Sequence, residues 1–315
     1  MEAWMRVLTI NLRSNKLKKQ FTFGANHTLG QEDLNIDVTI SKSMNTLKDE
    51  AIVKIDNLTQ SEITQLIMGE FYDVSIFAGY RNGNVNKIFD GGVYYISNKL
   101  NADKSSTCII ICTSKLVAKY GQSRINLTLN SGINLYSAIK FICRRGGVPD
   151  SNVSTQLKKD FIDKVITVNA DTANWLDKLV SQNNQLIVNS DSILGNSFSI
   201  FDAAKSNNRV IRLNPENIIL TGGYPRLTNE GLNLTILPTF NFMCGDTIQI
   251  DNAIIDVSVS NKSQVSKNYG AFFSQYGQYM VFEIKYHLQN RGSDFTLEML
   301  CKSRDRISNY IGGVK

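Results

Sequence analysis

Asp49-Glu50-Ala51-Ile52-Val53-Lys54-Ile55-Asp56-Asn57-Leu58-Thr59 leads through a short helical stretch into Phe71-Tyr72-Asp73-Val74-Ser75-Ile76-Phe77-Ala78-Gly79-Tyr80. The turn Arg81-Asn82-Gly83-Asn84 follows, then Ile88-Phe89-Asp90-Gly91-Gly92-Val93-Tyr94. Ala51, Val53 and Ile55 alternate with Ile52, Lys54 and Asp56, the period of two of a half-buried strand. Val74, Ile76, Ala78 and Tyr80 alternate in the same way. Asn82-Gly83 signals a hairpin, because both residue types accept positive φ. Between these strands, Thr59-Gln60-Ser61-Glu62 has the form of a capping box. Ile63, Leu66 and Ile67 then give helical spacing, and Gly69 is predicted to end the helix in the left-handed conformation. The block holds strands and turn chemistry but no plausible catalytic group, and it reads as a shaped scaffold.

Working outward, Thr107 to Thr113 is a short apolar run that predicts a buried strand. The middle third changes character. Leu135, Ala138, Ile139 and Ile142 line one face of a helix that starts near Asn134. It stops at Arg144-Arg145-Gly146-Gly147, where cations suit the dipole and glycine suits the cap. A second helix carries Trp175, Leu176, Leu179 and Val180, with Asp171 or Thr172 at its start. Two short strands are predicted at Gln185–Val188 and Phe198–Phe201. The final third returns to β. Leu232, Leu234 and Ile236 alternate up to Pro238, and Gly245-Asp246 precedes a strand at Thr247–Asp251. Residues 260–278 read as a long polar loop. Met280, Phe282, Ile284, Tyr286 and Leu288 form one face of a strand. Gln289–Asp294 turns into a return strand carrying Phe295, Leu297, Met299 and Cys301. The tail Lys302-Ser303-Arg304-Asp305-Arg306 is basic and is expected at solvent or at an interface.

The expected fold class is β-dominated α+β: two barrel-like β domains with small α/β elements between them. The expected boundaries are 1–117 for the first barrel, 118–205 for the α/β region of one or two subdomains, and 206–315 for the second barrel. The barrels are free to exchange segments. Closing a sheet removes its exposed edges.

Composition narrows the function classes. The chain has 315 residues, 42% hydrophobic and 20% charged, enough apolar material for buried cores. The net charge of +6 is mild, and Lys and Arg are spread rather than blocked, which argues against nucleic-acid binding. Five cysteines (Cys108, Cys112, Cys143, Cys244 and Cys301) make an odd set without zinc-ligand company, and they read as buried thiols in a reducing compartment. No run of 18 apolar residues predicts a membrane span, and Met1–Arg6 does not open a secretory signal.

The usual catalytic signatures are missing: no phosphate-cradling glycine loop, no paired-histidine zinc motif, no nucleophile elbow. His27 falls in a polar turn. His287 lies on a strand, on a face shared with Glu283 and Lys285, and is expected at the surface or an interface. Glu32-Asp33, Asp49-Glu50 and Asp171/Asp177 are the visible candidates for glycosidase carboxylates. They fit solvated loop acids and a helix start better. Phe71, Tyr72, Phe77, Tyr80, Phe89, Tyr94 and Tyr95 cluster without a Lys/Arg row, so core packing is favoured over base stacking. No catalytic, cofactor-binding or metal-ligating residue is assigned and no cofactor is expected.

In their order, these motifs resemble the first barrel of baseplate hub proteins from contractile-tailed phages: strand-Asn57-Leu58, helix, strand ending Ala78-Gly79-Tyr80, hairpin, Phe89-Asp90-Gly91. Gly222-Gly223-Tyr224-Pro225 through Gly231-Leu232 is similar to the family's Gly-x-Pro segment, leading to Leu237-Pro238. Gly245-Asp246-Thr247-Ile248 and the hairpin from Tyr279 to Cys301 are similar to its closing strands. Such hubs are similar to the base of type VI secretion spike proteins. The resemblance implies a non-enzymatic homotrimer in the virion tail baseplate, assembled in the host cytoplasm. Two barrels per subunit would give a ring of six, adapting a hexameric tail tube to a trimeric central spike. Implied partners are tail-tube or tube-initiator proteins, the central spike protein and baseplate wedge proteins. The alternatives are a distal tail or tube-initiator protein, and, lower, a cell-wall hydrolase.

Overall fold

The computed structural model describes residues 6–14, 16–24, 34–44, 49–69, 73–81, 83–102, 105–114, 117, 123–147, 161–172, 174–176, 186–189, 199–202, 209–213, 224–228, 230–238, 241–251, 255–257 and 274–304. The first third forms β1 (Arg6–Ser14), β2 (Lys19–Gly24), β3 (Ile36–Ser43), β4 (Glu50–Asp56), α1 (Gln60–Met68), β5 (Asp73–Tyr80), β6 (Val85–Leu100) and β7 (Ser106–Ser114). The middle forms β8 (Arg124–Leu129), α2 (Leu135–Arg145), β9 (Ile166–Asp171), β10 (Leu186–Asn189) and β11 (Ser199–Asp202). The last third forms β12 (Val210–Leu213), β13 (Arg226–Leu227), β14 (Leu232–Ile236), β15 (Thr247–Ile250), β16 (Asp256–Val257), β17 (Gln278–Gln289) and β18 (Phe295–Ser303).

The alternation in the opening block does set the buried faces. Ala51, Val53 and Ile55 of β4 and Val74, Ile76, Ala78 and Tyr80 of β5 are buried. The capping box forms. The Glu62 amide donates to Thr59 Oγ1 at 3.2 Å, and the Thr59 amide donates to Glu62 Oε2 at 2.8 Å. Gly69 departs from expectation, since its φ of −82° is right-handed. Positive φ falls before the helix, at Asn57 (59°), a residue type that tolerates it. The β5–β6 turn is closed by the Gly83 amide donating to the Tyr80 carbonyl, but Gly83 is not among the positive-φ glycines; Asn82 lies outside the described residues. In β7, Cys108, Ile110 and Cys112 are buried while Ile109 and Ile111 are half-exposed, so this strand buries one face rather than two.

Fourteen of the described strands join in one sheet, in the order β16-β13-β14-β18-β17-β3-β4-β7-β6-β5-β1-β2 with β12 and β15 off this path. The join between the first and last thirds is β3 against β17, antiparallel from Asp37↔Gln289 to Ser43↔Glu283. One buried cluster runs from Leu8 to Cys301 and takes in both thirds. The sheet is large, β-dominated and mostly antiparallel.

Strand β17 is where the neighbours change. Tyr279 and Met280 pair with Ile248 and Thr247 of β15, whereas Glu283 onward pairs with β3. At the fork, Val281 faces Cys301 but Glu283 faces Leu300, so Phe282 is a bulged residue. The uninterrupted face expected from Met280 to Leu288 therefore breaks. Leu288, Tyr286 and Ile284 stay in phase with Phe295, Leu297 and Met299, and past the bulge that face passes to Val281, opposite Cys301. The Phe282 carbonyl accepts from the Met44 amide at 3.0 Å, which ties the bulge to the end of β3.

The middle third has its own small core. β8 and β9 pair, and Leu135, Ala138, Ile139, Ile142 and Cys143 of α2 pack with Trp175 and Leu176. Asn134 caps α2, its Oδ1 accepting from the Ser137 amide at 2.8 Å. The positive φ at the other end falls on Gly147 (70°). Asp171 Oδ1 accepts from the Asn174 amide at 2.8 Å, making Asp171 the start of the second helix; Leu179 and Val180 lie outside the described residues. The two short strands appear as β10 paired with β11.

Candidate interaction surfaces

The C-terminal hairpin tip is docked onto the N-terminal strands. Asn290 holds the start of β3 from both sides. Its Oδ1 accepts from the Ile36 amide at 2.8 Å and its Nδ2 donates to the Leu34 carbonyl at 2.7 Å. Arg6, at the start of β1, donates to the Gly292 carbonyl at 2.6 Å and to the Ser293 carbonyl at 3.1 Å. Its guanidinium also lies 5.3 Å from the centre of the Phe295 ring, which meets Tyr80 edge-on at 5.5 Å. Burial pushes the Tyr80 hydroxyl up to about 12, with Arg6 pulling the other way. The hairpin thus touches β3 on one side and β1 with β5 on the other. Beside it lies an open polar cleft of about 410 Å³, lined by Asp37, Lys54, Asp56, Thr107, Arg291 and neighbours. Its acids are engaged: Asp56 takes Asn35 and Thr107, and Asp37 faces Lys54 at 3.9 Å.

A second surface is the far half of β6. Two bulges bend this 16-residue strand, one opposite Ile76/Phe77 and one at Tyr94. It pairs with β5 over Val85–Gly92 and with β7 over Gly91–Leu100. Tyr80 and Phe89 are core residues as expected, but Tyr94 and Tyr95 are not. They are 79% and 53% exposed, because the bulge turns this part of the strand outward. Phe71 and Tyr72 lie outside the described residues.

Among the described residues, the candidate catalytic groups do not converge. His287 Nε2 stands 3.9 Å from Glu298 Oε2 at the surface, where both side chains are substantially exposed. Asp49 is buried beside β7, where its backbone carbonyl accepts from the Ser114 amide. His27, Glu32, Asp33 and Asp177 lie outside the described residues. All five cysteines are buried thiols outside any disulfide. Burial pushes Cys108 up to about 11 and Cys112 up to about 12, and Cys301 higher still. Among the described residues no three His, Cys, Asp or Glu side chains gather as a metal site, and no helix is long and apolar enough to cross a membrane. The basic tail begins inside the fold. Lys302 Nζ sits 3.7 Å over the Phe282 ring, its pKa lowered by burial against the opposing pull of Glu283 and Glu230, and Arg304 donates to Thr247 Oγ1.

The 43 kDa tail protein of prophage MuSo2 from Shewanella oneidensis superposes with a TM-score of 0.55 at 9% identity, over 95% of this chain and 97% of that one. The chain shares the fold of phage tail proteins. The c3393 protein of E. coli, a type VI secretion component described as structurally similar to the T4 tail proteins gp27 and gp5, gives 0.56 at 9% identity. That match covers 88% of this chain and 75% of that one. A Francisella PdpA-VgrG complex gives 0.53 at 10% identity, over 95% of this chain and 58% of that one. No protein-family model matches, and no curated protein matches in sequence. At these identities the likeness is one of fold. Arg6, Asn290 and the bulge at Phe282 carry no signal in the sequence beyond a turn-rich segment and an ordinary strand.

Proposed function

We propose that this chain is the structural hub of a contractile tail baseplate, without catalytic activity. Three copies form a ring that adapts a hexameric tail tube to a trimeric central spike. The observation that carries this reading is the single sheet in which β3 meets β17, joining strands of the first third to strands of the last third in one chain. We take these thirds, 1–117 and 206–315, as two barrel-like units that share the C-terminal hairpin, with 118–205 as an outlying α/β region. Six such units in three chains match a sixfold tube on one face and a threefold spike on the other. The fold shared with phage tail and type VI secretion proteins supports the tail assignment and a structural role. The partners are then the tube or tube-initiator protein, the spike and the wedge proteins, and the site of action is the virion tail.

The test is light scattering on the purified chain, alone and with spike protein, followed by imaging of the complex. A trimer with a pseudo-sixfold ring is expected. A strictly monomeric chain that also fails to bind spike protein would overturn the reading, as would lysis of bacterial cell walls abolished by changing one acidic residue.

A further inference from the structure

We infer that the polar cleft beside the C-terminal hairpin tip is a docking site for an acidic side chain of a partner protein, with Arg291 as its anchor. The inference stands apart from the ring proposed above. The cleft, about 410 Å³, is lined by two parts of the chain. Asp37, Lys54, Asp56 and Thr107 come from β3, β4 and β7, while Gln289 and Arg291 come from the hairpin. None of these side chains is apolar. A pocket that encloses a small molecule is mostly apolar. An open polar cleft suits a group carried on the surface of another protein, where arginine is a favoured contact residue.

The acids around the cleft are already spent on the chain itself. Asp56 accepts from Asn35 Nδ2 at 2.8 Å and from the Thr107 hydroxyl at 2.7 Å, one bond to each oxygen. Asp37 Oδ2 stands 3.5 Å from Gln289 Nε2 and 3.9 Å from Lys54 Nζ. Asp294 Oδ1 accepts from the Ser293 hydroxyl at 2.8 Å. Arg291 is different. It is exposed, and among the described residues no hydrogen bond, ion pair or ring contact reaches its guanidinium. Lys54 meets Asp37 at a distance too long for a hydrogen bond, so its ammonium also keeps its donors. The unused bonding capacity of the cleft is therefore on its cations.

The backbone that carries Arg291 is fixed on both sides. Asn290 is bound through both ends of its amide to the start of β3, and Arg6 holds the Gly292 and Ser293 carbonyls. The Gln289 side chain folds against Gly292 so closely that a Cβ there would collide with its Oε1. Three side chains thus position a residue whose own guanidinium bonds nothing in the chain. A planar fork of donors fits a carboxylate in two parallel bonds, and a fork on a fixed backbone loses less freedom on binding.

Proton–nitrogen NMR spectra of the full chain, titrated with a capped tetraglutamate peptide, test this. The Arg291 side-chain N–H signal is expected to move and saturate, and capped tetraglutamine is expected to leave it in place. Arg291→Gln is expected to weaken tetraglutamate binding about tenfold or more, read from the Asn35 and Gln289 amide signals, with its melting temperature unchanged because the side chain is exposed. Arg145→Gln removes another exposed arginine, on α2, and is expected to bind as the parent does. An Arg291 signal that does not move, equal binding of tetraglutamine, or an Arg291→Gln variant that binds as well as the parent would overturn the inference. Equal losses in the two variants would overturn it too, as a diffuse effect of charge. Inorganic phosphate that moves the Arg291 signal where tetraglutamate does not would overturn the protein source and leave a free anion as the ligand. None of these outcomes bears on whether the chain forms a trimer.

Discussion

Asp246 is fully buried at the entrance to β15, and its carboxylate holds two things. The Met243 amide donates to Oδ2 at 2.8 Å, and Arg209 Nη1 stands 3.6 Å away. Arg209 in turn donates to the Asn241 carbonyl, so one carboxylate ties the 243–246 turn to the residue that leads into β12. Asp246→Ala is expected to cost about 2–3 kcal/mol, read as a lowered midpoint in urea, because it strands a buried donor and loosens an ion pair. Asp246→Asn keeps an acceptor for Met243 and should cost less. Tyr80 is the opposite case. Its hydroxyl is buried without a hydrogen-bond partner among the described residues, so Tyr80→Phe is expected to stabilise by about 1 kcal/mol at neutral pH. It also bears on alkaline stability. Burial raises Tyr80, Cys108 and Cys112 from 10.0, 9.0 and 9.0 to about 12, 11 and 12. The unfolded chain therefore releases these protons first. Their contribution is intact below about pH 9 and is lost as pH climbs through about 9–12, by up to about 1.4 kcal/mol for each tenfold difference in proton affinity between the folded and unfolded chain. A melting series across that range should fall steeply, and less steeply above pH 10 in Tyr80→Phe.

At the scale of elements, the hairpin β17–β18 does most to shape the molecule, and its tip is held by few side chains. Asn290→Ala removes two hydrogen bonds to the start of β3 and is expected to cost about 1–3 kcal/mol. Phe295→Ala opens a cavity against Tyr80 and Arg6 and should cost about 3–5 kcal/mol by the same measurement. What is legible in the sequence here is whatever is encoded within a few residues. The capping box spans four positions, and the alternation of β4, β5 and β18 is local. The phase change at Phe282 is hidden, because Met280, Phe282 and Ile284 look like an unbroken face; the extra residue is met by Met44, just past the end of β3. The exposure of Tyr94 is hidden for the same reason, since a bulge is a property of two strands. Gly69 misleads because glycine permits positive φ without requiring it, and Asn57 takes that role. The contact of Arg6 with the hairpin spans 286 residues and leaves no trace in spacing.

Across the whole molecule, the first and last thirds share a sheet and one buried cluster, while the middle third keeps a core of its own. The edge of β3 is covered by β17 from Asp37 to Ser43, and Arg6 and Tyr80 meet the hairpin turn and Phe295. A fragment of residues 1–117 would expose that edge and the apolar side chains beneath it. It is expected to lack the sharp thermal transition of the full chain and to aggregate. Circular dichroism of the fragment against the full chain checks this, and a cooperative soluble fragment would show that the hairpin is dispensable to the first unit. Adding residues 278–304 as a separate peptide is expected to restore part of the transition.

The pairing of β3 with β17 also orders events in time. Strand β3 finds this partner only once β17 has been synthesised, on the order of tens of seconds later at ordinary elongation rates. Through that interval β3 presents an unsatisfied edge, and closing the intervening loop is slow. Closure of this sheet thus waits on the synthesis of β17, and a nascent chain stalled before residue 278 is a client for chaperones rather than a half-built part.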